Sequence, residues 1–420
     1  MTNTDRFLWG TATSSFQIEG QIENDMTEWE KLGKFRRDGN DPVYGSAIGH
    51  WDRWKEDFEL LREIGVNAYR FSVEWSRIEK QPGIFDEQVL EKYKAFISWL
   101  NASDITPMLT LHHFTHPIWF HKQCPWHHDD SIEIFARFVE KVISVTEDDV
   151  PYLITFNEPV VWALAAYGDA RFPPGEKNLN LMMTALYNIL KAHAKVYKMI
   201  KTKYPAVNIG IAKHLICFQP EKWWSLIDHG LSAICDGFFN RILYKAFKQN
   251  RLRYYLPFLI NFDKFLDLEN TIDFWGVNYY FRMFTGLKAD FKQPLNMKFI
   301  NRSGEGLSDL GWENYSEGLD KLLQLTVKEN KPVIITENGI AASDDQRRIE
   351  YLKNHLNIVE KARKNMPLKG YFYWSLLDNY EWLVGYNARF GLVETNAENP
   401  GYRKIKESAK YFNTFISNHK

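Results

Sequence analysis

Apolar residues recur along this 420-residue chain in two rhythms. Short, nearly continuous runs rich in Ile, Val, Leu, Phe and Trp read as strands buried on both faces. Eight such runs are expected as strands: Phe7 to Ala12, Ala68 to Val73, Thr106 to His112, Tyr152 to Phe156, Asn208 to Ala212, Phe274 to Asn278, Pro332 to Thr336 and Gly370 to Trp374. Between them the apolar residues fall three or four apart, as on one face of a helix. Examples are Trp51, Trp54, Phe58 and Leu61 in His50 to Ile64, and Ile349, Leu352, Leu356 and Val359 in Asp344 to Arg363. Strand and helix alternating eight times predict an α/β fold, a single (β/α)8 TIM barrel over residues 1–420, with a doubly wound sheet as the alternative. The chain shows neither a fixed-period repeat nor a Pro/Gly-rich linker that would divide it.

Two of the runs lead directly into a glutamate that a turn residue then stops. Leu153-Ile154-Thr155-Phe156-Asn157 is followed by Glu158-Pro159, and Ile334-Ile335-Thr336 by Glu337-Asn338-Gly339. Both acids therefore fall at the C-terminal ends of strands, the edge where barrels and parallel sheets carry their chemistry. Either glutamate taken singly is explained as a helix cap or a solvated side chain; two in matched contexts suggest paired carboxylates, the minimum equipment for cleaving a glycosidic bond. Gln17, His113, Asn278 and Trp374 fall at equivalent places past other strands, and Arg70 lies within the second. The plainer accounts are a helix cap for Gln17, a turn for Asn278, core packing for Trp374 and a structural ion pair for Arg70.

Composition narrows the partners. Lys plus Arg is 52 against 53 for Asp plus Glu, so a net charge of -1 gives no electrostatic case for nucleic acid, an anionic membrane or a polyanion. Aromatic residues make up 15% of the chain, 15 of them Trp, and indole faces stack on sugar rings when they are not core fillers. Residues 1–6 are polar and lead straight into the first strand with no signal-like apolar segment, so a cytoplasmic location without membrane insertion is expected. Three widely spaced cysteines, Cys124, Cys217 and Cys235, suit a reducing compartment. Six of the 12 histidines crowd between His112 and His128, but no pair has a recognised zinc spacing; all but His113 are expected at the rim and surface, with no metal and no cofactor. A nicotinamide enzyme is excluded because no glycine-rich fingerprint follows a first strand.

Several longer segments resemble glycoside hydrolase family 1, the retaining β-glycosidases. Phe7-Leu8-Trp9-Gly10-Thr11-Ala12-Thr13-Ser14-Ser15-Phe16-Gln17-Ile18-Glu19-Gly20 is similar to the family's N-terminal motif, and Tyr69-Arg70-Phe71-Ser72-Val73-Glu74-Trp75-Ser76-Arg77-Ile78 to its second-strand segment. Thr155-Phe156-Asn157-Glu158-Pro159 and Ile335-Thr336-Glu337-Asn338-Gly339 resemble its acid/base and nucleophile motifs. The resemblance implies Glu337 as nucleophile, supported by Arg70, Asn278 and Tyr280, and Glu158 as general acid and base, with the carboxyls about 5 to 5.5 Å apart. It further implies that Gln17, His113, Asn157, Glu381 and Trp382 bind the sugar hydroxyls, that Trp374 stacks beneath the ring ahead of a cis peptide to Ser375, and that Phe390 walls the far end.

One departure is His113-Phe114, where the family usually has His followed by Trp, which removes an indole donor. Another is Glu381 with Ala388, where members that cleave phosphosugars carry serine and basic residues; an acid there disfavours a 6-phosphate. The chain also looks short for the family, which implies trimmed loops around the rim. The expected activity is therefore exo-hydrolysis of unphosphorylated β-glucosides, β-galactosides or related aryl and alkyl β-glycosides. A transglycosylase using the same intermediate is the nearest alternative, and a silent sugar-binding relative is disfavoured by the presence of both acids.

Overall fold

A computed structural model describes residues 6–35, 43–146, 149–288, 295–298, 300–302, 304 and 306–419. The eight runs form β1 (Leu8–Ala12), β2 (Ala68–Ser72), β3 (Thr106–His112), β4 (Tyr152–Asn157), β5 (Asn208–Pro220), β6 (Phe274–Leu287), β7 (Val333–Asn338) and β8 (Leu368–Trp374). They pair in parallel in the order β7-β8-β1-β2-β3-β4-β5-β6, and β6 pairs back onto β7. That last pairing closes the barrel and removes the doubly wound alternative. All residues of β1, β2, β4 and β7 are buried, which is why their sequences are mostly apolar rather than alternating, with Arg70 in β2 and the polar ends of β4 and β7 as the exceptions. Helices fill the crossovers, as parallel neighbours require. His50–Ile64 ends at Gly65, whose φ of 75° suits a glycine cap, and Asp345–Asn365 begins where the Asp344 side chain accepts from Gln346 N.

Six strands lie within two residues of the expected bounds at each end, but β5 and β6 run on to Pro220 and Leu287, well past Ala212 and Asn278. Beyond the barrel wall they continue to pair, from Cys217 with Arg282 to Pro220 with Thr285, and Leu295–Lys298 adds to β6 antiparallel. In β5, Lys213, His214 and Gln219 interrupt the apolar run and hide the extension from a hydrophobic pattern, whereas β6 stays largely apolar through Phe284. The ladder holds because each backbone group finds a neighbouring strand.

The two acid-bearing ends are built differently. Glu158 has φ 47° and ψ 55°, a left-handed conformation costing about 1 kcal/mol or more in a non-glycine residue, and Pro159 opens the helix Pro159–Ala163 at once. Beyond Glu337, Gly339 is required by close approach: a Cβ there would sit 1.8 Å from the Trp374 carbonyl oxygen. The peptide from Trp374 to Ser375 is cis. At the opposite face a cavity of about 760 Å³ is lined by Arg6, Trp9, Asn67, Asp104 and Arg363 and holds no facing pair of carboxylates. No helix among the described residues is long and apolar enough to cross a membrane.

Candidate active site

At the C-terminal rim Arg70 is the centre of a buried polar network. It is 0% exposed, and its guanidinium donates to Glu337 Oε1 at 2.6 Å, the Thr336 carbonyl at 3.0 Å, Asn157 Oδ1 at 2.7 Å and Thr110 Oγ1 at 3.1 Å. A buried guanidinium needs a carboxylate, and the partner is the glutamate at the end of β7. Tyr280 donates its hydroxyl to the other oxygen of Glu337 at 2.6 Å. Burial, Glu337 and Glu158 hold the Tyr280 hydroxyl well above its ordinary pKa, so it stays a donor.

Asn278 joins the two acids' surroundings. Its amide donates to Glu158 Oε1 at 2.7 Å and to Asn157 Oδ1 at 3.1 Å, while its own oxygen accepts from Thr336 at 2.6 Å. A continuous chain therefore runs Glu337, Arg70, Asn157, Asn278, Glu158. Because Asn157 Oδ1 already takes two donors, its amide nitrogen faces His113 Nε2 at 3.2 Å. That nitrogen must accept, which leaves the proton of neutral His113 on Nδ1. Burial, Arg70 and His112 all hold the His113 pKa well below its usual value.

Burial drives the pKa of Glu337 up, to about 7; Arg70 and the Tyr280 bond pull it down, and Glu158 pushes it further up. Arg70 does pull the value down, but desolvation outweighs it. Glu381 behaves alike: burial and the neighbouring Glu337 raise it to about 8, against the bond from Gln17. Gln17 Nε2 donates to Glu381 Oε2 and to Asn379 Oδ1, both at 2.9 Å, and its own oxygen is held by Ser14 at 2.7 Å.

Aromatic rings wall the space beside these groups. His113 lies nearly parallel to Trp374 at 5.9 Å and to Trp382 at 6.0 Å, and Trp382 also stacks on Phe16. Phe114 packs edgewise on Phe172 and against Trp382, 5.0 Å away, filling apolar space without offering a donor. Phe390 closes one end, next to Tyr280 and Trp312. Contacts of this kind link Arg70, His113, Asn157, Glu158, Asn278, Tyr280, Glu337, Trp374, Trp382 and Phe390, and Gln17 joins through Glu381.

Two neighbours were not foreseen. His214 Nδ1 stands 3.3 Å from Glu158 Oε1, on the part of β5 that the apolar pattern cut off, and Asn379 shares the Gln17 amide with Glu381. A histidine two residues past a strand's expected end was the available signal for the first.

A family model described as Glycosyl hydrolase family 1 matches residues 2–420. The chain is 33% identical to a 1,4-beta-D-glucan glucohydrolase of Thermotoga neapolitana over 98% of its own length and 97% of the relative's. The structure is similar to a beta-glycosidase from Pyrococcus horikoshii, with TM-score 0.89, 33% identity and coverage of 98% and 94% of the two chains. It is also similar to a beta-glucosidase from Thermotoga maritima in complex with noeuromycin, with TM-score 0.88, 30% identity and coverage of 99% and 98%.

Proposed function

The chain belongs to glycosyl hydrolase family 1 and is a glycoside hydrolase, and from that premise we propose that it is a retaining exo-β-glycosidase acting on unphosphorylated β-glucosides, β-galactosides or related aryl and alkyl β-glycosides. Glu337 attacks the anomeric carbon, and the glycosidic bond breaks as its oxygen takes a proton from Glu158. A covalent glycosyl-enzyme forms on Glu337. Glu158, now a carboxylate, removes a proton from water, which attacks the same carbon and releases Glu337. Two displacements restore the β configuration.

The observation that carries this assignment is the asymmetric environment of the two acids. Glu337 has a donor on each oxygen, Arg70 on one and Tyr280 on the other, which suits a carboxylate that must carry charge before substrate arrives. Glu158 accepts from Asn278 on Oε1 only, among the bonds described, which suits an oxygen pair that delivers and retrieves a proton. Retention requires the carboxyls about 5 to 5.5 Å apart, since inversion needs roughly 6.5 to 9.5 Å to admit a water.

Gln17, His113, Asn157, Glu381 and Trp382 hold the sugar hydroxyls, and Trp374 stacks beneath the ring. Burial and the neighbouring Glu337, with Glu158, raise Glu381 to about 8, and a phosphate dianion on the sugar would meet the same burial and the same acids, so it is disfavoured. The acid pair needs no metal or cofactor for this chemistry.

The deciding experiment follows the first product of an aryl β-glucoside by proton NMR, with Glu337→Gln alongside. A β anomer appearing first from wild type, and a loss of several orders of magnitude in the variant, is the expected outcome. An α anomer appearing first, or turnover surviving in Glu337→Gln, overturns the assignment.

A further inference from the structure

We propose that Asp25, His116 and His121 form a site for a divalent transition metal of the zinc class, which clamps together the loops after β1 and β3 beside the sugar pocket. Each residue offers one ligand atom, and the three atoms lie within 4.8 Å of one another. Asp25 is 1% exposed, its Oδ2 has no hydrogen-bond donor, and His116 Nε2 stands 3.5 Å from that oxygen. This is long for an N–H···O bond, whose usual distance is about 2.9 Å. It is close to the separation of two ligands on a tetrahedral zinc with bonds of about 2.0 to 2.2 Å, which stand about 3.4 Å apart.

The pair is held in place without a metal. The His116 backbone N–H donates to Asp25 Oδ1 at 3.0 Å, and the Asp25 N–H donates to the His116 carbonyl at 3.2 Å. Those bonds leave Oδ2 free to point at the imidazole. His121, on the helix Ile118–Gln123, brings the third ligand; its ring lies 5.9 Å from that of His116, and its Nδ1 is buried without a partner. His121 is only partly buried, so an ion reaches the site from solvent on its side. Two imidazoles and one carboxylate, with a fourth position for water, suit Zn2+ or Co2+ rather than Mg2+ or Ca2+.

The site uses two of the crowded histidines that the sugar pocket does not, His116 and His121. Their spacing alone indicates no zinc site because the third ligand, Asp25, lies 91 residues before His116 on the helix Asp25–Lys31. His116 is three residues past His113, and Asp25 follows the helix that carries Gln17, so the ion would fix two walls of the pocket relative to each other.

A second group, Cys124, His128 and Asp130, also has three ligand atoms within 4.8 Å, but His128 and Asp130 are exposed, and it serves as the control. Chelator-treated full-length protein is titrated with Zn2+ by calorimetry and with Co2+ by visible absorption, and Tm is recorded with and without Zn2+. One equivalent of metal, the visible bands of four-coordinate cobalt and a rise in Tm are expected. Affinity should fall at least ten-fold in His121→Ala and in Asp25→Asn, each compared at its own metal-free Tm, and stay unchanged in Cys124→Ala. Absence of saturable binding, binding retained in both ligand variants, or a sulfur-to-cobalt absorption band that disappears in Cys124→Ala overturns the proposal. The readouts are binding and melting, so they stand apart from the glycosidase assignment.

Discussion

Tyr280→Phe isolates one hydrogen bond to the nucleophile. The hydroxyl donates to Glu337 Oε2 at 2.6 Å in a buried setting, and phenylalanine keeps the ring against His214, Trp312 and Phe390. A bond to a charged acceptor is worth about 1.5 to 3 kcal/mol. At about 1.4 kcal/mol per tenfold change, losing it should move the ionisation of Glu337 up by about one to two pH units. The starting point is about 7, and the sign follows from the bond's lowering effect on that carboxylate. The acid limb of kcat/KM on an aryl β-glucoside should therefore shift upward by that amount. Activity below pH 7 should fall by about 10- to 100-fold, with recovery at higher pH. Far-ultraviolet circular dichroism checks the fold. An acid limb that stays where wild type has it, or a loss equal at all pH values, would show that Tyr280 positions Glu337 without tuning its charge, and the reasoning would fail.

Glu158→Ala should slow hydrolysis of alkyl glucosides far more than that of dinitrophenyl glucoside, whose leaving group needs no proton; equal losses on both would remove Glu158 from the acid role. Raised folded-state values near 7 for Glu337 and 8 for Glu381 contribute stability that is complete below the ordinary carboxylate range and lost as pH rises through them. Tm should consequently decline between pH 5 and 9 more steeply in wild type than in Glu381→Gln, as melting by fluorescence at stepped pH will show. Gly339→Ala would drive a methyl into the Trp374 carbonyl at 1.8 Å, so loss of soluble yield or a large fall in Tm is expected, and a normally melting, active variant would contradict the close approach. Thr336→Val strips Asn278 Oδ1 of its 2.6 Å donor while leaving a buried oxygen behind, a cost of about 1 to 3 kcal/mol that denaturant unfolding should register.

The sequence by itself determined the strands and where their acids fall. A strand buried on both faces is mostly apolar, and Pro159 and Gly339 stop two such runs just beyond Glu158 and Glu337, so the alternation and the carboxylate positions were legible locally. Closure of the barrel followed from the count of strands only as an expectation; the β6 to β7 pairing decided it. The extension of β5 was not legible, because Lys213, His214 and Gln219 break its apolar run, and His214 went unseen with it; β6 stays largely apolar through Phe284, a signal that the sequence did carry. The bond from Arg70 to Glu337 spans 267 residues, and the bond that joins Asp25 to His116 spans 91. Hydrophobic periodicity reports which face a residue turns to its own element's neighbours. Which distant side chain waits across that face, and whether burial or a counter-charge prevails there, is set only when the barrel closes and water is expelled from the rim.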